Sequence, residues 1–179
     1  MTLSDLRNTL PDYAKDLKLN LDSVLSETGA AGLDGKQVRA IALASAIGAR
    51  HAPLVSAVEE FAAEQLSPEQ IQGAKAAAAI MAMNNIYYRA THLIHNEEYG
   101  QLRAGLRMNV LANPGLDKVT FELASLAVSA INGCGACLDS HERVIREHDV
   151  SAQGVQSALK IAAVVHAVAV TLEQGPASG

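Results

Sequence analysis

Cys134 and Cys137 are the only cysteines in this 179-residue chain, three residues apart in the run Asn132-Gly133-Cys134-Gly135-Ala136-Cys137, with His141 four residues further on. If Cys134 opens a helix, residues three and four apart share a face, and Cys134, Cys137 and His141 make one stripe about two turns long. Two thiols that close exchange a disulfide once one of them is deprotonated near neutral pH. A helix N-terminus and a nearby imidazole both favour the thiolate. A solitary cysteine would read as a small buried hydrophobe; this spacing, after a glycine turn and with histidine one turn on, reads as reactive or metal-binding. Gly135 and Ala136 leave the approach to the sulfurs open.

Glu122 is the only carboxylate between Asp117 and the cysteines. Its neighbours Phe121, Leu123, Ala124, Leu126, Ala127 and Val128 offer little polar surface, so a raised pKa is expected, which suits a general base near neutrality. His141, on the cysteine stripe, reads as its partner in proton transfer. Cys134, Cys137, His141 and Glu122 could also supply four ligands to zinc. Structural zinc more usually draws on two separated cysteine pairs, and there is no second pair, so thiol redox chemistry is preferred. No chemistry is assigned to the other histidines. His166 is expected in the core or at an interface, His92 and His95 near Tyr88 and Tyr99 fit a subunit contact, His51 lies at a helix end and His148 near a loop.

These side chains need a scaffold, and the pattern predicts an all-α one. A helix over Leu3 to Leu10, capped by Ser4, ends at Pro11. Helical spacing resumes from Asp12 to Leu25, and a loop from Gly29 to Gly35 precedes a helix over Lys36 to Ala49. Pro53 marks a break. Ser67-Pro68-Glu69-Gln70 carries a capping serine, proline at the first helical position and glutamine three after the cap. Asn84-Asn85 is expected to interrupt the helix that follows, with a new segment from Ile86 to about Tyr99-Gly100 and a turn at Leu111 to Gly115; the asparagines are read as hydrogen-bonding buried backbone. Lys118 to Ile131 is helical, Asn132-Gly133 breaks it, the cysteine helix runs to about His148, and Ser151 caps a last helix reaching Leu172. No period-two strand pattern occurs.

Residues 1–174 fit one helical domain, with 175–179 a frayed tail. Offset by 84 residues, two segments align: Ser45-Ala46-Ile47 with Ser129-Ala130-Ile131, and Ser67, Gln72, Ala74, Ala78 and Ala79 with Ser151, Gln156, Ala158, Ala162 and Ala163. Two related units are inferred, about 36–83 and about 120–172. Arg50, Pro53 and Ala57 of the first fall where Cys134, Cys137 and His141 stand in the second, so helical architecture alone does not demand the dithiol.

Hydrophobic residues make up 49% of the chain and aromatics 3%, so an aliphatic, alanine-rich core is expected. The net charge of −5, with no basic run, argues against nucleic acid or an anionic membrane surface as partner. The apolar run Ile161 to Val170 is too short for a bilayer and contains His166. The opening Met1-Thr2-Leu3-Ser4-Asp5 lacks the charged and apolar segments of an export signal, and a cytoplasmic location is the expectation. In a reducing cytosol a Cys-x-x-Cys pair is redox-active or metal-binding rather than a structural staple.

At Glu122, Cys134-Gly135-Ala136-Cys137 and His141 the chain resembles the alkyl hydroperoxide reductase D family, an all-helical group within the carboxymuconolactone-decarboxylase-like superfamily. The resemblance spans the whole chain and includes Leu10-Pro11-Asp12-Tyr13-Ala14-Lys15-Asp16, Ala82-Met83-Asn84-Asn85, Leu106-Arg107-Met108-Asn109 and Ala112-Asn113-Pro114-Gly115. It implies a cofactor-free thiol peroxidase and disulfide reductase that regenerates the peroxiredoxin alkyl hydroperoxide reductase C. Electrons would come from dihydrolipoamide on a lipoylated acyltransferase, recharged by lipoamide dehydrogenase. It further implies Cys137 as attacking thiol, Cys134 as resolving thiol and proton donor, a Glu122–His141 relay, a Cys134–Cys137 disulfide and a homotrimer. The competing readings are a zinc-binding helical module, and a decarboxylase or binding protein of the wider superfamily with incidental cysteines.

Overall fold

Asp34 and Asp117 cap two helices that meet in the middle of the molecule, and the other elements are laid around that pair. The computed structural model describes residues 1–175, and these contain nine α-helices and no strand. They are α1 (Leu3–Asn8), α2 (Lys15–Val24), α3 (Gly35–Ala49), α4 (Ala52–Ala63), α5 (Pro68–Leu93), α6 (Glu98–Gln101), α7 (Lys118–Ile131), α8 (Gly135–Glu147) and α9 (Ala152–Glu173). The fold is all-α, as the periodicity predicts. The tail expected to fray lies, from residue 176 on, outside the described residues.

Helix α3 packs on α4, α5, α7 and α9, and α7 packs on α3, α5, α8 and α9. Ala40 to Ala46 of α3 and Leu123 to Ser129 of α7 are all buried. Alanine lets the two axes approach closely, and Ile41, Leu43, Leu123 and Leu126 fill the remaining space. Burying each such leucine or isoleucine is worth roughly 1.5–3 kcal/mol. Helix α9 extends to 22 residues, well past its apolar run, and by length and composition alone is long and apolar enough to cross a membrane. Its Ile161, Ala162, Val165, Val168 and Ala169 are instead buried in the protein core. His166 is exposed rather than in the core, because it falls one residue after Val165 and so about 100° round the helix from the buried stripe.

Several boundaries differ from expectation, each for a local reason. Thr2, not Ser4, caps α1: its hydroxyl accepts from the Asp5 N–H while Asp5 accepts from the Thr2 N–H. Those bonds hold the Asp5 carboxyl below its ordinary 3.8. Pro53 does not break the chain; it sits in the first turn of α4, where its missing N–H costs nothing. The break falls before it, at Arg50 (φ 65°). Asn84-Asn85 does not interrupt α5 either. The helix is capped at Ser67 with a reciprocal Gln70 bond and runs unbroken for 26 residues to Leu93. Both asparagines spend their amides on side chains of other segments, so they do not compete with their own helix backbone. The segment expected to stay helical to Tyr99 leaves the helix at Ile94, and Glu98–Gln101 forms a separate short turn.

The spacing of the caps bears on the two proposed units. Asp34 and Asp117, His51 and Cys134, and Ser67 and Ser151 cap successive helices 83, 83 and 84 residues apart. A left-handed residue precedes the middle cap in each case, Arg50 (φ 65°) and Gly133 (φ 68°). Aligned by its caps, the first half places His51, one residue after Arg50, where Cys134 stands.

Candidate active site

Helix α7 ends at Ile131, and Gly133 turns the chain back through a left-handed conformation that glycine adopts without a Cβ penalty. Cys134 follows as the cap of α8, its Sγ 3.3 Å from the Cys137 N–H that it accepts. A capping sulfur thus takes the place of the usual serine or aspartate oxygen. In the first half of the chain His51 does the same job, its Nδ1 accepting from the Leu54 N–H at 3.1 Å. Cys134 and Cys137 are joined in a disulfide, with Cα atoms 5.3 Å apart. Cys134 has no exposed surface and Cys137 has 7%.

The stripe expected on α8 is present. His141, one turn beyond Cys137, points back toward α7, where Glu122 is the one residue from Thr120 to Ser129 that is not fully buried. Its Oε2 lies 2.6 Å from His141 Nδ1, with 21% of the Glu122 side chain and 15% of the His141 side chain exposed. An ionised carboxylate only accepts, so this contact places a proton on Nδ1. The other ring nitrogen, Nε2, lies 3.2 Å from the Met81 sulfur of α5. The pair therefore spans α7 and α8 and is braced by α5.

A cleft of about 290 Å³ opens beside these groups, lined by Met81, Asn84, Tyr88, Ala136, Cys137, Ser140 and His141. Of the two sulfurs, Cys137 faces it. Larger clefts lie between α1, α2 and α4, about 610 Å³, and between α3, α4, α5 and α7, about 540 Å³. Neither is lined by cysteine or histidine. Chemically, the small cleft offers a sulfur with an imidazole one turn away and a carboxylate behind that imidazole. Such an arrangement can move a proton away from a thiol and deliver one to a leaving oxygen.

Sequence reasoning missed the part that α5 plays. Met81, Asn84 and Tyr88 line the cleft, and Asn85 holds the turn before Cys134. Asn84 reaches the Met108 sulfur with its Nδ2 at 3.1 Å, and its Oδ1 is buried without a hydrogen-bond partner. The asparagines bond side chains rather than the buried backbone expected. The available signal was a four-residue step, Ala77, Met81, Asn85, that puts a polar amide on the apolar face of a core helix. Of the remaining histidines, His92, His95, His148 and His166 are exposed and none meets the cleft. Among the described residues no group of three or more His, Cys, Asp and Glu is placed to hold a metal ion.

The class this arrangement defines also emerges from comparison with known proteins. The model of the carboxymuconolactone decarboxylase family matches residues 97–173, which hold the cysteine helix and its flanking helices. Over 173 residues the chain is 56% identical to alkyl hydroperoxide reductase AhpD of Streptomyces coelicolor, covering 97% of this chain and 96% of that one. It is 53% identical to the protein of the same name from Frankia alni, with 97% and 92% covered, and 50% identical to that from Rhodopseudomonas palustris, with 99% and 97% covered. The chain belongs to the alkyl hydroperoxide reductase AhpD family.

Proposed function

We propose that the protein reduces alkyl hydroperoxides and the oxidised peroxiredoxin alkyl hydroperoxide reductase C through a Cys134–Cys137 dithiol cycle, with dihydrolipoamide as electron donor and no bound cofactor. The observation that carries the reading is the cleft floor: Cys137 faces it one turn from His141, whose Nδ1 is 2.6 Å from Glu122. Membership of the family supports it.

In the reduced protein the His141–Glu122 pair takes the Cys137 proton. The Cys137 thiolate attacks the terminal oxygen of the hydroperoxide, the O–O bond breaks, and the alkoxide leaves as alcohol with a proton from His141. Cys137 is now a sulfenic acid. Cys134 attacks its sulfur, water leaves, and the disulfide closes. With oxidised peroxiredoxin, the Cys137 thiolate instead attacks the partner disulfide, and Cys134 resolves the mixed disulfide that results. Recharging runs the other way: one dihydrolipoyl thiolate attacks Cys137, the more exposed sulfur, and expels Cys134. The Cys134 thiolate leaves into its capping position, where the Cys137 N–H and the α8 N-terminus stabilise it. The second dihydrolipoyl thiol then releases Cys137, yielding lipoamide and the free dithiol.

The donor is proposed to sit on the lipoylated acyltransferase of a 2-oxoacid dehydrogenase, kept reduced by lipoamide dehydrogenase, in the cytoplasm. The protein is proposed to work as a homotrimer. Ile86, Leu93, Ile94, Tyr99 and Leu102, at the outer end of α5 and beyond it, are exposed and give an assembly apolar surface to bury.

Intact mass tests the cycle. One equivalent of cumene hydroperoxide should remove two hydrogens, about 2 Da, from the reduced protein, and dihydrolipoamide should restore them. Continued peroxide turnover after replacement of both cysteines by serine would defeat the reading.

A further inference from the structure

Asn85 has no exposed surface, yet it is a polar residue on the core face of α5. Its Nδ2 donates to Ser129 Oγ at 2.8 Å, and its Oδ1 accepts from Asn132 Nδ2 at 3.0 Å. Arg89, one turn further along α5, donates from Nη1 to the Asn132 carbonyl. Arg50 Nη2 reaches Asn132 Oδ1 at 3.4 Å from the end of α3. Ser129, already held through its hydroxyl, accepts the Cys134 N–H with its carbonyl at 3.0 Å. Two residues of α5 therefore hold Ser129 and Asn132, where α7 runs into the Asn132-Gly133 turn, and the residue that leaves that turn is Cys134. The opposing sulfur, Cys137, sits in the first turn of α8 and takes no contact from this group.

We propose that Asn85, with Arg89 and Asn132, is a positioning clamp that fixes Cys134 against Cys137 and so sets how readily their disulfide forms. This rests on the dithiol cycle proposed above but makes a separate claim. A thiol whose backbone is already placed has a high effective concentration toward its partner, because the entropy of finding that partner has been removed in advance. The weak point of the turn is the left-handed Gly133, which has no side chain to pack and whose Cβ side meets only the Arg89 guanidinium, at 3.8 Å. Released from Asn85 and Arg89, the turn has more conformations available, and Cys134 spends less time within reach of Cys137.

The test is the equilibrium between the full-length protein and reduced and oxidised dithiothreitol, with the disulfide fraction read by intact mass after alkylation. It needs no peroxidase activity. In Asn85→Leu and in Arg89→Met the constant for disulfide formation should fall at least tenfold, about 30 mV for this two-electron couple, with helical content unchanged. Where Asn85→Leu fails to fold, Arg89→Met decides, since Arg89 is only half-buried. A folded variant with a constant within twofold of the parent protein overturns the clamp. The same variants under cumene hydroperoxide should divert at least tenfold more Cys137 to the sulfinic acid, because resolution by Cys134 is slower. Failure of the dithiol cycle would look different: the parent protein would form no disulfide with peroxide while its dithiothreitol equilibrium stayed measurable.

Discussion

Glu122 Oε2 and His141 Nδ1 lie 2.6 Å apart across the α7–α8 contact, although 19 residues separate them in the chain. The carboxylate holds the imidazole in one orientation and balances its charge when the ring takes a second proton. Charge-assisted bonds of this kind are worth about 1.5–3 kcal/mol. Glu122→Gln keeps the shape but loses the charge, and His141→Gln loses the proton carrier. Both should slow alkylation of Cys137 at pH 7 by about tenfold or more. In both, the half-maximal pH of the reaction should move up, because the thiolate has lost the group that takes its proton. Stopped-flow alkylation across pH measures this, and unchanged profiles in both variants would remove the relay.

The two sulfurs should behave unequally. Cys137 faces the cleft and Cys134 has no exposed surface. In Cys134→Ser, Cys137 remains reachable and should attack a small aromatic disulfide reagent, expel one thiolate from it and stay as a stable mixed disulfide, because no second cysteine is present to resolve it. In Cys137→Ser, the remaining thiol is buried at the start of α8 and should react at least a hundredfold more slowly with a bulky reagent. Mass spectrometry of both variants distinguishes them, and equal labelling rates would reverse the assignment of the attacking thiol.

The helices and the α8 stripe were legible because each rests on local rules: caps at Ser67 and Ser151, glycine at the turn, and cysteines and histidine at helical spacing. Glu122 could be found because a lone carboxylate in an apolar helix is conspicuous, though nothing local says which helix it faces. The role of α5 was not legible. Asn84 and Asn85 look like helix breakers when their propensity alone is considered, and only the tertiary contacts to Ser129, Asn132 and Met108 overturn that. For His166 it is the core half of the expectation that fails, in the opposite sense: an apolar composition averaged over α9 hides which single face is buried.

Met81 is the second brace on His141, its sulfur 3.2 Å from Nε2. A thioether is a weak acceptor, so it holds the Nε2 edge of the ring in place without competing for that nitrogen's part in proton transfer. Met81→Leu nearly conserves volume and should cost less than about 1.5 kcal/mol in stability. Its effect should fall on the ring: with the sulfur beside Nε2 removed, the nitrogen resonances of His141 should shift. The pH profile of Cys137 alkylation should shift while the melting temperature barely moves. Nitrogen NMR of labelled imidazole checks the first, and an unchanged His141 spectrum would reduce Met81 to packing.

Gly133 and Gly135 flank Cys134 and separate backbone demand from steric demand. A Cβ at Gly133 would meet only the Arg89 guanidinium at 3.8 Å, and one at Gly135 would meet nothing within 4 Å. Space is therefore open at both. The difference is conformational: Gly133 holds φ at 68°, whereas Gly135 is the first residue of α8. Gly133→Ala should destabilise by about 1–2 kcal/mol, the cost of a left-handed L-residue. Gly135→Ala should stabilise by about 0.4–1 kcal/mol by restricting the unfolded chain. Gly133→Ala should also lower the disulfide equilibrium constant, since relaxing that φ swings Cys134 out of its capping position. Denaturant melts of the two variants give the signs directly, and a destabilised Gly135→Ala would mean that the approach to the sulfurs is tighter than the cleft allows.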